Sequence, residues 1–98
     1  MSESRVARLK RLRMRAWRRG TKEMDLILGP FADGCLAGMD EPRLRLFDTL
    51  LGENDQDLYP WVTGAQPAPA QYRDLIAEIS RSAIERHENA HLTKNLDT

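Results

Sequence analysis

Apolar residues recur along this chain at the spacing of an α-helix. The last third shows the pattern best, at i, i+3, i+4, i+7 and i+11: Tyr72, Leu75, Ile76, Ile79 and Ala83. This spacing places the side chains on one face of a helix. No run of β-branched residues alternates with polar ones, and no Asn-Gly pair suggests a hairpin. The sequence therefore predicts an all-α protein, a small antiparallel bundle of about five helices, the fourth of them short.

The first two helices should meet at Gly20. Ser4 is a suitable N-cap for a first helix of about fifteen residues. Its inner stripe is predicted to consist of Val6, Leu9, Arg13, Ala16 and Trp17, with Leu12 beside it. A second helix should run from about Thr21 to Phe31 or slightly beyond, because Gly29-Pro30 is expected to kink or end it. Its apolar face is Met24, Ile27, Leu28 and Phe31.

Cap residues and prolines bound the next two helices. Asp40-Glu41-Pro42 begins the third, and Gly52 ends it. Asn54 or Asp55 caps the fourth, which Pro60 should distort if it exceeds one or two turns. Between the second and third helices, the glycine-flanked segment 34–38 is expected to form a loop.

The chain of 98 residues has the length of one domain with a modest core. The segment Gly64–Ala70 should form a turn and linker, and the last helix should start near Ala70. After about His87 the sequence becomes polar, and we expect it to fray. Residues 1–98 are thus predicted to form a single helical domain with a polar, frayed tail after about residue 87.

Basic residues are concentrated at the start of the chain. The totals cancel, fifteen basic against fifteen acidic, yet nine of the basic residues precede Glu23: Arg5, Arg8, Lys10, Arg11, Arg13, Arg15, Arg18, Arg19 and Lys22. Such clusters can steer association, and a basic helix that contacts phosphates is one possible interpretation, a nucleic-acid-binding module. Against this interpretation, the first helix needs an apolar stripe for packing, and the domain is not basic overall.

The motif Arg19-Gly20-x-x-Glu23 places three different chemical groups within one helical turn: a guanidinium, a position without a side chain, and a carboxylate. One interpretation is a helix cap, with Gly20 as the N-cap and Glu23 bonding back to its N–H. The other is an interaction site. The two are compatible, because a capping Glu can still be exposed.

The wider stretch Trp17-Arg18-Arg19-Gly20-x-x-Glu23-x-Asp25, followed by Pro30-Phe31, resembles the succinate dehydrogenase assembly factors. These are small helical proteins that promote covalent attachment of FAD to the flavoprotein subunit. The segment Leu46-Phe47-x-x-Leu50-Leu51 resembles the family's third helix, and Asp55-x-Asp57-Leu58-Tyr59-x-Trp61 resembles its fourth. The resemblance covers about Arg5 to Arg86.

The resemblance implies an assembly factor and not an enzyme, with no catalytic residue of its own. Its partner would be the flavoprotein subunit of succinate dehydrogenase or fumarate reductase. Arg19 would pair with an acidic or carbonyl group, Gly20 would allow close backbone approach, and Glu23 would order Arg19 or contact the partner. The expected contact residues are Arg19, Gly20, Glu23, Trp17, Arg18 and Asp25. Because the sequence has no nucleotide-binding glycine motif, we expect no stably bound cofactor; the factor would act on FAD of the partner protein.

The remaining sequence features concern metal binding, the cellular compartment and the membrane. His87-Glu88-Asn89-Ala90-His91 matches H-E-x-x-H, but only seven residues follow it and supporting ligands are missing, so we expect no metal site. The single cysteine, Cys35, fits a reducing compartment. There is no run of about 18 apolar residues and no secretory signal. We expect a monomer without a membrane span, in the cytoplasm of a bacterium or the mitochondrial matrix of a eukaryote.

Overall fold

A computed structural model describes residues 3–96, with side chains through His87. Within that part of the chain there are five α-helices and no strand: α1 Arg5–Trp17, α2 Lys22–Cys35, α3 Glu41–Leu51, α4 Asp55–Thr63 and α5 Arg73–Leu96. Short 3₁₀ turns, Leu36–Gly38 and Ala70–Tyr72, follow α2 and precede α5. The predicted all-α bundle of five helices is confirmed.

One apolar core holds the helices together. Phe31 of α2 packs on Phe47 of α3, with ring centroids 5.8 Å apart. Trp61 of α4 packs on Tyr72 at the same centroid distance, which fixes α4 against the start of α5. The fully buried large side chains are Leu12, Met24, Leu28, Phe31, Leu36, Leu44, Phe47, Leu50, Leu58, Tyr72, Leu75 and Ile79.

The first helix begins as predicted but turns a slightly different face inward. The Ser4 hydroxyl accepts a hydrogen bond from the N–H of Ala7 at 3.1 Å, which confirms Ser4 as the N-cap. Leu12 and Ala16 are fully buried, whereas Val6 is 80% exposed. The prediction that Val6 belongs to the inner stripe is therefore wrong. Val6 lies in the first turn and to one side of the buried stripe.

The second helix continues through Pro30 to Cys35, beyond the predicted end at Phe31 or slightly later, so Gly29-Pro30 does not end it. Proline lacks the N–H that would bond the carbonyl four residues earlier, here that of Leu26. Arg86 of α5 supplies donors instead: its Nη2 lies 3.4 Å from the Leu26 carbonyl oxygen and 3.1 Å from that of Ile27. A side chain from another helix thus donates hydrogen bonds to backbone carbonyls near the proline, and α2 continues past it.

The segment predicted as a loop, 34–38, is also more regular than expected. Gly34 lies within α2, and the 3₁₀ turn Leu36–Gly38 follows directly. Leu36 is fully buried, which gives this segment its own anchor in the core.

The third and fourth helices begin and end close to their predicted bounds. The Asp40 side chain caps α3 by accepting from the N–H of Arg43 at 3.0 Å, and Gly52 ends the helix. Asn54 is the N-cap of α4, which keeps nine residues although Pro60 lies inside it. The carbonyl that loses its helical donor belongs to Gln56, an exposed residue that water can reach.

The last helix buries Leu75, Ile76 and Ile79, Ala83 is half-buried, and Tyr72 is buried in the 3₁₀ turn that precedes the helix. Its backbone is helical as far as Leu96. The side chains after His87 lie outside the described residues, so the frayed tail remains a prediction. Among the described helices, none combines the length and the apolar character that a bilayer crossing requires.

Candidate partner-binding site

The link between α1 and α2 is built around Gly20. Gly20 has a φ of +101°, a value that residues with a side chain rarely adopt, and the space around its missing Cβ is open. The N-cap of α2 is Thr21, with extended backbone angles of −122° and 139°. The predicted cap, Gly20 bonded by Glu23, is therefore wrong: the positive φ turns the chain one residue before the helix begins.

The Arg19 guanidinium is turned inward and held by the link between α3 and α4. Its Nε donates to Asp55 Oδ1 at 2.9 Å, and its Nη2 donates to the Glu53 carbonyl at 2.6 Å. Its Nη1 donates to the carbonyl of Leu51. The side chains of Arg19 and Asp55 are only 12% and 20% exposed. This arginine therefore joins two inter-helix links of its own chain.

The backbone beside the guanidinium is fixed as well. The N–H of Arg19 donates to Asp25 Oδ1 at 2.6 Å, so a side chain of α2 holds the preceding link. The Thr21 hydroxyl donates to the second oxygen of Asp55 at 3.3 Å. Asp25 and Asp55 together position the link on which Gly20 lies.

The Glu23 carboxylate is exposed and makes no hydrogen bond or ion pair with the side chains described. It does not order Arg19, one of the two roles that the resemblance offered; contact with a partner is the other. Arg18 is exposed too. The structure thus leaves Arg18, Gly20 and Glu23 accessible at one link and engages Arg19 and Asp25 internally.

Trp17, the last residue of α1, packs against α2. Its indole lies so close to Gly29 that a Cβ there would be 2.3 Å from the ring, and its Nε1 donates to Asp33 at 3.0 Å. The side chain nevertheless stays 39% exposed. Trp17 therefore combines a packing role with an outer edge that a partner can reach.

A groove runs beside the motif, between the N-terminal ends of α2 and α4. It is lined by Thr21, Glu23, Met24, Asp55, Gln56 and Tyr59. Tyr59 is 44% exposed. The sequence interpretation placed Asp55 and Tyr59 in the fourth helix without linking them to the motif. Only packing brings residues more than thirty positions apart together, and no spacing in the sequence indicates it.

Much of the basic charge of α1 is neutralised within the chain. Asp48 of α3 accepts from Arg11 at 2.9 Å and from Arg15 at 2.6 Å, and Glu41 accepts from Arg5 and Arg8. The hydrogen bond from Arg11, with its charge, lowers the pKa of Asp48. With Arg19 included, five of the nine leading basic residues are in internal ion pairs. This weighs against a basic helix devoted to nucleic acid.

The predictions about metal and cysteine concern the far end of α2 and the tail. Within the side chains described, no three His, Cys, Asp or Glu residues converge as a metal site would require. His91 belongs to the tail whose side chains are outside the described residues, so the absence of a metal site at the His87/His91 pair stays a prediction. Cys35 is a half-buried free cysteine near the end of α2.

Known proteins match most of this chain. The model of the Sdh5 family, described as flavinator of succinate dehydrogenase, matches residues 10–83. A protein of Drosophila grimshawi named succinate dehydrogenase assembly factor 2, mitochondrial, is 36% identical over 83% of the chain and 56% of its own length. The protein of the same name from Culex quinquefasciatus is 35% identical over 88% of the chain and 54% of its length.

The match contains the motif, the link that carries it, the whole of α2, α3 and α4, and parts of α1 and α5. The chain spans about half the length of these two relatives. By the extent of the family match, residues 10–83, the chain belongs to the family of succinate dehydrogenase flavinators.

Proposed function

We propose that this protein binds the flavoprotein subunit of succinate dehydrogenase and promotes the covalent attachment of FAD to it. The observation that carries the proposal is the membership of the flavinator family together with the exposed link at Gly20. A family named for this reaction and a surface that a partner can approach closely support the same function.

The action would be one of positioning. The groups that react, a nucleophile of the partner and its flavin, belong to the partner complex, and a bound helical module can hold them in a reactive arrangement. Orientation alone can lower a barrier by several kcal/mol, up to roughly 7–11. Gly20 would permit close approach, Glu23 would contact the partner, and Trp17 and Arg18 would extend the contact.

In this proposal the protein is an assembly factor and not an enzyme, and it does not hold FAD stably. It works as a monomer, and the flavoprotein subunit of fumarate reductase is a second possible partner. The location follows the partner: the cytoplasm in a bacterium and the mitochondrial matrix in a eukaryote. The relatives named above are mitochondrial by name.

The test is to express the flavoprotein subunit with and without this protein and to measure covalent flavin fluorescence in denaturing gels. We expect covalent flavin to rise when the protein is present. An equal yield of covalent flavin in its absence, in cells that lack any other such factor, would refute the proposal.

Two glycine variants then test the site. Gly20→Arg should reduce covalent flavin because it places a long side chain at the surface of close approach and strains a positive φ. Gly34→Arg is the matched control, since Gly34 is also exposed with open space but lies in a regular helix. Equal covalent flavin with both variants would mean that the Gly20 link is not the contact.

A further inference from the structure

The groove between the N-terminal ends of α2 and α4 is lined by a carboxylate without a hydrogen-bond partner among the described side chains and by an aromatic ring. Glu23 and Tyr59 both line it and are both exposed. Neither side chain makes a hydrogen bond within the part of the chain whose side chains are described. Asp55, the second carboxylate in the groove, already accepts from Arg19 and Thr21.

The charged side chains that line the groove are both carboxylates. Four carboxylates lie in the first turns of the two helices: Glu23, Asp25, Asp55 and Asp57. Of these four, only Glu23 and Asp55 line the groove, and no lysine or arginine lines it. Arg19 pairs with Asp55, so Glu23 is the groove carboxylate that has no ion-pair partner among the side chains described.

A carboxylate next to an exposed ring is a suitable site for a cationic side chain. The carboxylate accepts hydrogen bonds from a guanidinium or ammonium group, and the face of the ring attracts the same charge. Met24 lies at the floor and is almost fully buried, so the aliphatic stem of a long cationic side chain would meet an apolar surface.

We propose that this groove receives an arginine or lysine side chain of the flavoprotein subunit, with Glu23 as its ion-pair partner and Tyr59 as its ring. This inference rests on the proposed function and deepens it. It assigns the exposed carboxylate of the motif a partner of defined charge. It also adds Tyr59 of α4 to the contact surface, for which the sequence predicted only residues of α1, α2 and the link between them.

The experiment measures the dissociation constant for the flavoprotein subunit by calorimetry at several salt concentrations. Glu23→Gln keeps the shape and removes the charge, and Tyr59→Leu removes the ring. We expect each variant to bind roughly tenfold more weakly, and Glu23→Gln to show a weaker dependence on salt. Because both residues would contact one cation, their effects in the double variant should be less than additive.

Glu85→Gln is the matched control for charge, since Glu85 is an exposed glutamate on α5 outside the groove. It should bind like the wild type. If the wild type binds the subunit and Glu23→Gln and Tyr59→Leu bind equally well, the groove proposal is wrong while the proposed function stands. If the wild type itself does not bind the subunit, the proposed function fails. If the losses of binding free energy in the two single variants add up in the double variant, the two residues do not contact the same cation, and that part of the proposal is wrong.

Discussion

At the scale of single residues, the motif separates into internal and accessible groups. Arg19 resembled an exposed donor in the sequence, yet its donors meet Asp55 and two backbone carbonyls of the α3–α4 link. Nothing in the spacing Arg-Gly-x-x-Glu indicates those acceptors, because they lie more than thirty residues away. Glu23 and Gly20 were correctly expected at the surface, since neither belongs to an apolar stripe.

We expect Gly20 to matter for stability because of its positive φ, and not because a side chain at this position would lack space. Gly20→Ala places a Cβ in open space but at a φ of +101°, so we expect a loss of about 1–3 kcal/mol in the free energy of unfolding. Gly34→Ala, in open space within α2, should instead stabilise by about 0.5–1 kcal/mol. Urea denaturation followed by circular dichroism measures both. Equal effects would mean that the angle does not matter.

Asp55 should position the link as well as stabilise the fold. Asp55→Ala releases Arg19 and Thr21, whereas Asp48→Ala releases two arginines of α1 that do not belong to the motif. We expect both variants to lose stability, but only Asp55→Ala to bind the flavoprotein subunit about tenfold more weakly, or ~1.4 kcal/mol. Calorimetry beside thermal melting separates the two effects. Affinity that falls equally in both variants would assign Asp55 a purely structural role.

At the scale of elements, the starts of α1 and α3 were easier to predict than the end of α2. Ser4 and Asp40 cap their helices as expected, because a capping side chain bonds backbone within three residues. The end of α2 was missed because Arg86, which serves the carbonyls near Pro30, is distant in sequence. The expectation that proline ends a helix considers only the nearby sequence, so it does not take into account a hydrogen-bond donor that another helix supplies to the free carbonyl.

A double-mutant cycle tests this assistance. Arg86→Ala should destabilise the protein by about 1–3 kcal/mol, since it removes the charged donor of the part-buried Ile27 carbonyl and of the exposed Leu26 carbonyl. Pro30→Ala restores an N–H for the Leu26 carbonyl, so Arg86→Ala should cost less in that background. The free energies of unfolding of all four proteins give the coupling. A coupling near zero would show that Arg86 does not compensate for the proline.

At the scale of the whole molecule, helical periodicity was enough to predict the class and the number of helices. Most of the apolar residues predicted for the inner faces of α2 and α5 are buried, whereas Ile27 and Ala83 are half-buried. The packing of one helix on another was not predictable in the same way. Ion pairs decide part of it: Asp48 and Glu41 join α3 to the basic α1 through four arginines. Much of the basic charge at the start of the chain thus has a structural use.

This attachment of α1 should make the fold sensitive to acid. Arg11, through its hydrogen bond and charge, lowers the pKa of Asp48, and Arg8 does the same to the pKa of Glu41. A carboxylate whose pKa is lower in the folded state contributes stability that is fully present above its unfolded pKa, about 4, and is lost as the pH falls through the folded value. We therefore expect the free energy of unfolding to decline below about pH 4.

Asp48→Asn identifies the source of that decline. It should lower stability at pH 7 and reduce the further loss between pH 5 and pH 2.5, because one of the groups whose protonation weakens the attachment is already neutral. Glu85→Gln, which removes an exposed carboxylate on α5 away from these pairs, should keep the wild-type acid response. Urea midpoints across this pH range measure all three proteins. An acid response in Asp48→Asn as large as that of the wild type would show that the Asp48 pair does not fasten α1 to α3, and that acid acts elsewhere in the fold.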